Sequence, residues 1–365
     1  MVRVATTHCM DLVIDNVAAY LVERGLLPSE ALAREVIVKD VSRRNRNFRV
    51  LTRDVGFMVK QARAVRDIPM LRREASCYEM ARSDAELSRL MPSLLSYDVQ
   101  ANILVTKLTS NAESLADRNK RIGDISPIFG EKLGEAMGRH HARTASAFES
   151  AEVLPPFPRR VPYVLNIAAL ARKGWRYLGP MAPRVSELIQ RRPNAERVLD
   201  AFRGQWRRDC LMHGDVSWEN VIVSSAPAPA SNLLIVDWEM ADIGDSGWDV
   251  GVVLRSFLAA WSLAYQAGRD QREVAAGPAP PSVQAERALT LAFWIGYARA
   301  RGFDSVRSRL ELERGMQFAA LQMVFVALEF GRPKPELHPS AIEAVDAALS
   351  LFQDPRRPVQ SLLGA

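Results

Sequence analysis

His213, Asp215 and Asn220 lie within one eight-residue stretch, His213-Gly214-Asp215-Val216-Ser217-Trp218-Glu219-Asn220, and a second carboxylate, Asp237, follows 17 residues after Asn220. Between them Leu233-Leu234-Ile235-Val236 reads as a short buried strand that delivers Asp237 at its end. Aspartate and asparagine in a tight loop, with a carboxylate at a strand end, form an all-oxygen donor set. Such a set suits a hard cation such as Mg2+ that keeps some of its waters. Asp215 would then accept or orient the proton of a hydroxyl, while Asn220 and Asp237 ligate the metal beside the phosphates of a nucleotide. Taken singly, His213 reads as a core histidine, Asp215 as a turn residue and Asp237 as a strand cap. Taken together, in the strand context they require, they read as phosphoryl-transfer machinery.

The order H-x-D-x-x-x-x-N followed by D is that of protein kinases, with His213-Gly214-Asp215 in place of H-R-D and Asp237-Trp238-Glu239 in place of D-F-G. With Gly244-Asp245-Ser246-Gly247-Trp248-Asp249 it makes three linked motifs. These resemble the signature of the aminoglycoside phosphotransferase and choline kinase branch of the kinase-like fold. The resemblance implies an α+β, bilobal, protein-kinase-like fold. An antiparallel-sheet N-lobe over residues 1–108 would bind nucleotide, and a mainly helical C-lobe over 109–365 would carry the catalytic loop and acceptor site. It also implies an ATP-dependent kinase with an alcohol group as acceptor, and Mg2+ as its metal.

The nucleotide-binding elements should lie upstream. Residues 34–41 and 48–52 read as two strands, and Gly56-Phe57-Met58-Val59-Lys60-Gln61 as a third with alternating apolar character. The chain holds 7 lysines against 41 arginines, so a lysine in an apolar strand stands out. Lys60 suits the bridging of α and β phosphates as a point charge, and needs a carboxylate to hold it. Glu74, in a helix over Met70 to Arg82, is the candidate partner, with Glu79 as runner-up; an edge-strand lysine on a solvated face is the alternative. Asn102 to Leu108 reads as the strand leading to the hinge, with Val105, Lys107 and Leu108 offering backbone groups to an adenine edge.

One segment departs from the family pattern. Where relatives commonly turn through Gly-Gly and Ser-Asn, this chain has Ser42-Arg43-Arg44-Asn45-Arg46-Asn47. Without glycines the backbone amides approach phosphate less closely, so Arg43, Arg44 and Arg46 either clamp phosphate through their bidentate forks or form a solvated basic turn.

At 365 residues and 48% apolar content the chain can bury a full core. Cys9, Cys77 and Cys210 lack paired spacing, which fits core filling in a reducing cytosol. With no secretory segment and no apolar run long enough to span a bilayer, a cytoplasmic location without membrane partners is expected. Helical patterns cover Met10 to Leu26, Gly130 to Ser150, Val185 to Arg203, Gly247 to Ala267, Val283 to Arg301, Asp304 to Phe330 and Ser340 to Phe352. Pro155 to Pro158, Pro278 to Pro281 and Pro333 to Pro335 separate some of them, Ala226 to Ser231 reads as a surface loop, and the C-terminal Pro-Arg-Arg-Pro as a loose tail. His140-His141 points in two directions from one helix and reads as a surface pair rather than a metal site. Phe293, Trp294, Tyr297, Met316, Phe318, Met323 and Phe325 fall at helical spacing and read as core, or as an apolar wall of the acceptor site. The basic runs match no nucleic-acid-binding motif and read as solvated faces.

Two classes of function follow: an O-phosphotransferase, or a kinase-like scaffold without chemistry. Lys60, Asp215, Asn220 and Asp237 are all present, which favours the enzyme. For the acceptor, net charge +6 and arginines at 159, 160, 172, 176, 191 and 192 disfavour a polycation and favour an anionic or neutral molecule. The Asn45-Arg46-Asn47-Phe48 turn and the arginine-rich composition resemble, more loosely, the peptide kinases of thioamitide and class V lanthipeptide pathways. That resemblance implies Ser/Thr phosphorylation of an acidic-leader precursor peptide ahead of a partner lyase. A small-molecule or antibiotic hydroxyl is the other acceptor.

Overall fold

The computed structural model describes residues 11–33, 36–109, 111–123, 125–149, 156–167, 169–170, 181–224, 233–267, 283–330 and 339–364. Cys9, Arg34-Glu35, Arg172, Arg176, the 226–231 loop, and the proline breaks at 278–281 and 333–335 lie outside them. The chain divides into two compact units. One is Met1–Leu115 with Glu219–Ala241, the other Ala116–Trp218 with Asp242–Ala365. A single cut at 108/109 therefore misses the return of residues 219–241 to the first unit.

The first unit is built on a five-stranded antiparallel sheet: β1 Ile37–Asp40, β2 Arg46–Leu51, β3 Gly56–Gln61, β4 Leu94–Asp98 and β5 Ile103–Lys107, in the order β1-β2-β3-β5-β4. Side chains alternate across a strand, and this splits the sheet into two working faces. Phe48, Val50, Phe57, Val59, Ile103 and Val105 share a buried cluster with Val17, Tyr20 and Leu21 of helix α1, Ile14–Glu23. Lys60, between Val59 and Gln61, falls on the opposite face, and β3 is an interior strand, not an edge. Helix α2, Ile68–Arg82, buries Leu71, Glu74, Ala75, Tyr78 and Ala81 at helical spacing. After the short helix α3, Ala85–Ser88, a second sheet of three strands joins β6 Ala112–Ser114, β8 Val221–Ser224 and β9 Leu233–Ile235 in the order β6-β8-β9.

The second unit is mainly helical: α4 Leu115–Ile122, α5 Pro127–Glu149, α6 Met181–Gln190, α7 Ala195–Gly204, α8 Ser246–Ala267, α9 Val283–Ala300, α10 Ser305–Phe330, α11 Pro339–Gln353 and α12 Arg356–Leu363. Its two-stranded sheet pairs β7 Cys210–Met212 with β10 Asp242–Gly244. Helices α5 and α9 meet backbone to backbone. A Cβ on Gly134 would sit 2.0 Å from Phe293 O, one on Gly130 2.2 Å from Leu289 O, and one on Gly296 2.4 Å from Glu131 O. Phe293, Trp294, Tyr297, Met316 and Phe318 are buried, while Met323 and Phe325 are half-buried.

Three expectations are corrected. The helix expected over Val185 to Arg203 is two, because Pro193 interrupts it and Asn194 turns through φ 61°. The loose C-terminal tail is a helix that buries Pro358, Val359 and Leu362 and gives the Ser361 and Leu362 carbonyls to Arg287 Nε. Proline is tolerated there because it lies in a first turn. The surface pair His140-His141 is fully buried, His140 against Leu211 of β7 and His141 between Tyr297 of α9 and Asp249 of α8. His140 Nε2 donates to Leu211 O at 2.6 Å. Among the described residues no helix is long and apolar enough to cross a membrane.

Two outcomes test this packing. Gly134→Ala should lower stability by about 1–3 kcal/mol, the usual cost of overpacking, read as a lowered Tm. Burial, with a smaller push from His141, lowers the His140 pKa from 6.5 to about 3. The unfolded chain takes up that proton as pH falls through 6.5, whereas the folded chain resists until about pH 3. Stability associated with His140 is therefore complete above pH 6.5 and is lost on acidification. Urea titrations at pH 7 and 5 should show a smaller loss for His140→Gln than for the parent chain; an equal loss contradicts the assignment.

Candidate active site

In the first unit, three segments distant in sequence converge on one ammonium. Lys60 Nζ donates to Glu74 Oε1 at 2.7 Å, to Glu74 Oε2 at 2.9 Å and to Asp237 Oδ1 at 2.6 Å. The Lys60 side chain is 13% exposed, that of Glu74 1% and that of Asp237 39%, so the pair is buried on one side and open on the other. Burial opposes the lysine's charge, but the carboxylates of Asp237 and Glu74 outweigh it and raise its pKa. Burial raises the pKa of Glu74, against the pull of Lys60. Glu79 pairs instead with Arg82 on the surface.

Strand pairing sets the next positions. Val221 of β8 lies opposite Ile235 of β9, and Val236 N donates to Asn220 O at 2.9 Å. Asn220 and Asp237 thus leave the same end of one antiparallel pair. Asp237 holds φ 68° and ψ 54°, a left-handed conformation that costs a non-glycine residue about 1 kcal/mol or more and is concentrated at working sites. Trp238, fully buried with its indole N–H on Ile235 O at 2.9 Å, anchors the turn.

Two residues outside the candidate set belong to this group. Tyr78, one helical turn beyond Glu74, donates to Glu74 Oε1 at 2.7 Å and accepts from the Asp237 backbone amide. Its i+4 spacing from Glu74 was the available signal. Glu239 accepts from Asn45 Nδ2 at 3.1 Å and from Arg44 Nη1 at 3.3 Å. Burial, reinforced by Asp237 and Glu74, raises its carboxyl to about pH 7. Its signal was its place two residues after Asp237.

The 42–47 turn resolves into separate tasks. Ser42 Oγ accepts from Asn47 N at 2.9 Å, and Asp40 accepts from Ser42 N at 2.8 Å, closing the turn. Arg43 is exposed, Arg44 reaches Glu239, and Asn45 is buried with Oδ1 unpartnered. Arg46 forms a bidentate pair with Asp11 at 2.7 and 2.8 Å, so its guanidinium does not join Arg44. At the expected adenine contact, Val105 is paired on both sides within β5, Lys107 N donates to Ser93 O and Leu108 N to Gly56 O. Those amide donors are already committed to the sheet, because β5 is an interior strand.

A divalent cation fits the chemistry of this group. Asn220, Asp237 and Glu239 offer oxygen alone, and three carboxylates, Glu74, Asp237 and Glu239, crowd Lys60. That excess of negative charge is what a hard cation neutralises. Among the described residues no group of three or more His, Cys, Asp or Glu is placed to hold a metal ion by itself.

In the second unit the His213–Asp215 loop hangs on one carboxylate. Asp249 Oδ2 accepts from His213 N at 2.7 Å and Oδ1 from Gly214 N at 2.8 Å. Gly214 takes φ +86°, open to glycine, and its carbonyl accepts from Trp248 Nε1 at 3.1 Å. His213 is fully buried and its Nδ1 accepts from Asp215 N at 3.2 Å, so it shapes the loop from beneath while Asp215 is half-buried. Burial would raise the Asp249 pKa, but the hydrogen bonds it accepts from the His141 ring and the His213 amide lower it. Asp245 serves structure: it accepts from Arg207 N and Gly247 N, each at 3.0 Å, and pairs with Arg314.

Residues 40–285 match the model of the phosphotransferase enzyme family, APH. No curated protein matches the chain. Among solved structures, the GDP complex of a variant aminoglycoside 2'-phosphotransferase IIIa aligns over 96% of this chain and 100% of its own, at 11% identity and TM-score 0.52. The GDP and kanamycin complex of APH(2")-IIIa aligns over 92% and 99%, at 12% identity and TM-score 0.50. Choline kinase LicA from Streptococcus pneumoniae aligns over 95% and 99%, at 14% identity and TM-score 0.46. The first two share the kinase-like fold, and the family match covers well over half the sequence. The chain belongs to the APH phosphotransferase family and is a kinase with an alcohol group as acceptor.

Proposed function

We propose that the chain transfers the terminal phosphoryl group of a nucleoside triphosphate to a hydroxyl of an anionic or neutral acceptor. The observation that carries this reading is the Lys60 ammonium held by Glu74 and Asp237 together. An ammonium so fixed is a point charge for phosphate oxygens, and Glu74, backed by Tyr78, keeps it in place when phosphate draws on it. Asn220 and Asp237, with Glu239 beside them, would hold Mg2+, which neutralises charge on the phosphates. Asp215 orients the acceptor hydroxyl and receives its proton as the oxygen–phosphorus bond forms and the bond to the departing diphosphate oxygen breaks. Four residues of chain separate Asp215 from Asn220, the spacing of the family signature.

ATP is the donor tested first, and GTP is tested beside it because the aligned relatives at TM-scores 0.50 and 0.52 were solved with GDP. For the acceptor, net charge +6 argues against a polycation, although kanamycin is the partner in one of those relatives. Part of that arginine content is spent on structure: Arg192 pairs with Asp346 and caps Leu188 O, and Arg207 pairs with Glu311. Within the anionic class, Ser and Thr of an acidic-leader precursor peptide, dehydrated afterwards by a partner lyase, come first. A small-molecule or antibiotic hydroxyl comes second.

Asp215→Ala should slow transfer by about 100- to 10,000-fold, the range of a lost general base. Asp237→Ala should abolish it, and near-normal turnover in either variant contradicts the site. Neutralising Arg43 and Arg44 together should raise the nucleotide KM about tenfold, or ~1.4 kcal/mol; an unchanged KM makes the turn a solvated one. Mass spectrometry after incubation with Mg-ATP, an acidic-leader peptide and its lyase separates the acceptors. Gain of phosphate or loss of water supports the peptide. Turnover of an aminoglycoside, macrolide or choline-like alcohol with the peptide unmodified overturns it.

A further inference from the structure

Asp249 has a third partner, and it comes from α5. His141 Nε2 lies 3.1 Å from Asp249 Oδ2, and Nδ1 lies 3.0 Å from the Tyr297 hydroxyl of α9. Both His141 and Asp249 are buried to about 1% exposure. Asp249 is ionised and can only accept, so Nε2 carries the hydrogen; Nδ1 then accepts from the Tyr297 hydroxyl, whose own pKa burial raises. The result is a directed chain of bonds: Tyr297 to His141, His141 to Asp249, and Asp249 to the amides of His213 and Gly214. It ends one residue before Asp215. The Gly130, Gly134 and Gly296 contacts between α5 and α9 bring His141 to Tyr297, so the helix packing and the loop are linked through one imidazole.

We propose that His141 is a positioning residue for phosphoryl transfer: by holding Asp249, it fixes the backbone that presents the Asp215 carboxylate. The idea rests on the reading of Asp215 given above. Asp249 orients two amides, one on each carboxylate oxygen, only while its own rotamer is held from the side-chain end as well. The His141 donor adds a second bond to Oδ2, the oxygen that takes the His213 amide, and ties the carboxylate to α5. A loosened loop misplaces Asp215, and displacements of about 1 Å can cost on the order of a hundredfold in rate.

The test measures ADP release from Mg-ATP with water as acceptor, together with thermal unfolding, for the full-length chain. His141→Leu removes the donor, and His141→Gln retains an amide N–H at the reach of Nε2. The rate for His141→Leu should fall about 10- to 100-fold with the ATP KM within about threefold, while His141→Gln recovers to within about fivefold of the parent. Within Asp215→Ala, adding His141→Leu should change the residual rate by less than about twofold, because the two residues act as one unit. A purely structural role would lower Tm and carry the same rate factor into both backgrounds, and that result overturns the proposal. So does a folded His141→Leu with a rate close to the parent's. If His141→Leu does not fold, His141→Asn, too short to reach Asp249, replaces it in every comparison. The reading of Asp215 fails separately, on Asp215→Ala alone: parent-like turnover there removes the site, whereas a dead Asp215→Ala beside an unaffected His141→Leu removes only the role of His141.

Discussion

The ammonium of Lys60 is the constraint on which the first unit depends. It is drawn between Glu74, 14 residues away, and Asp237, 177 residues away. A buried ion pair contributes little net stability, yet removing one partner leaves an uncompensated charge that costs about 3–5 kcal/mol. Every surrounding element can be understood as holding this group. The interior position of β3 turns Lys60 away from the apolar face shared with α1, and α2 buries Glu74 among Leu71, Ala75 and Tyr78. The β8–β9 pair brings Asn220 and Asp237 to one end, and Trp238 holds the left-handed turn.

The second unit applies the same physics with the signs exchanged. A buried carboxylate, Asp249, is satisfied by two backbone amides and an imidazole, so a loop with a positive-φ glycine keeps one conformation. Asp245, four residues earlier, gathers Arg207 N, Gly247 N of α8 and Arg314 of α10 in the same way. Asp242 fixes the 159–160 segment by accepting from both its amides. In each case the aspartate is spent on backbone geometry.

Much of this was legible because it is local. Motif spacing identified His213, Asp215, Asn220 and Asp237, strand alternation singled out Lys60, and helical periodicity placed Glu74 and the Phe293–Tyr297 core. What stayed hidden depends on tertiary partners. Polarity suggested a surface for His140 and His141, because the partners that bury them, Leu211, Tyr297 and Asp249, are distant in sequence. Arg46 resembled its arginine neighbours until Asp11 claimed it, and the amides of Lys107 and Leu108 looked available until β3 and Ser93 took them. Glu239 and Tyr78 gain meaning only through the charges beside them. The C-terminal helix was masked by its prolines, which sit where a first turn accepts them.

The central claim is that the bond from Lys60 to Asp237 marks where phosphate and metal enter. A crystal structure of the chain with Mg2+ and a non-hydrolysable ATP analogue tests it most directly. The account predicts that Lys60 Nζ keeps Glu74, leaves Asp237 and contacts phosphate oxygen, with the Asp237 carboxylate on the metal. A bound nucleotide with the 2.6 Å bond from Lys60 to Asp237 intact, and no metal on Asp237, would contradict it.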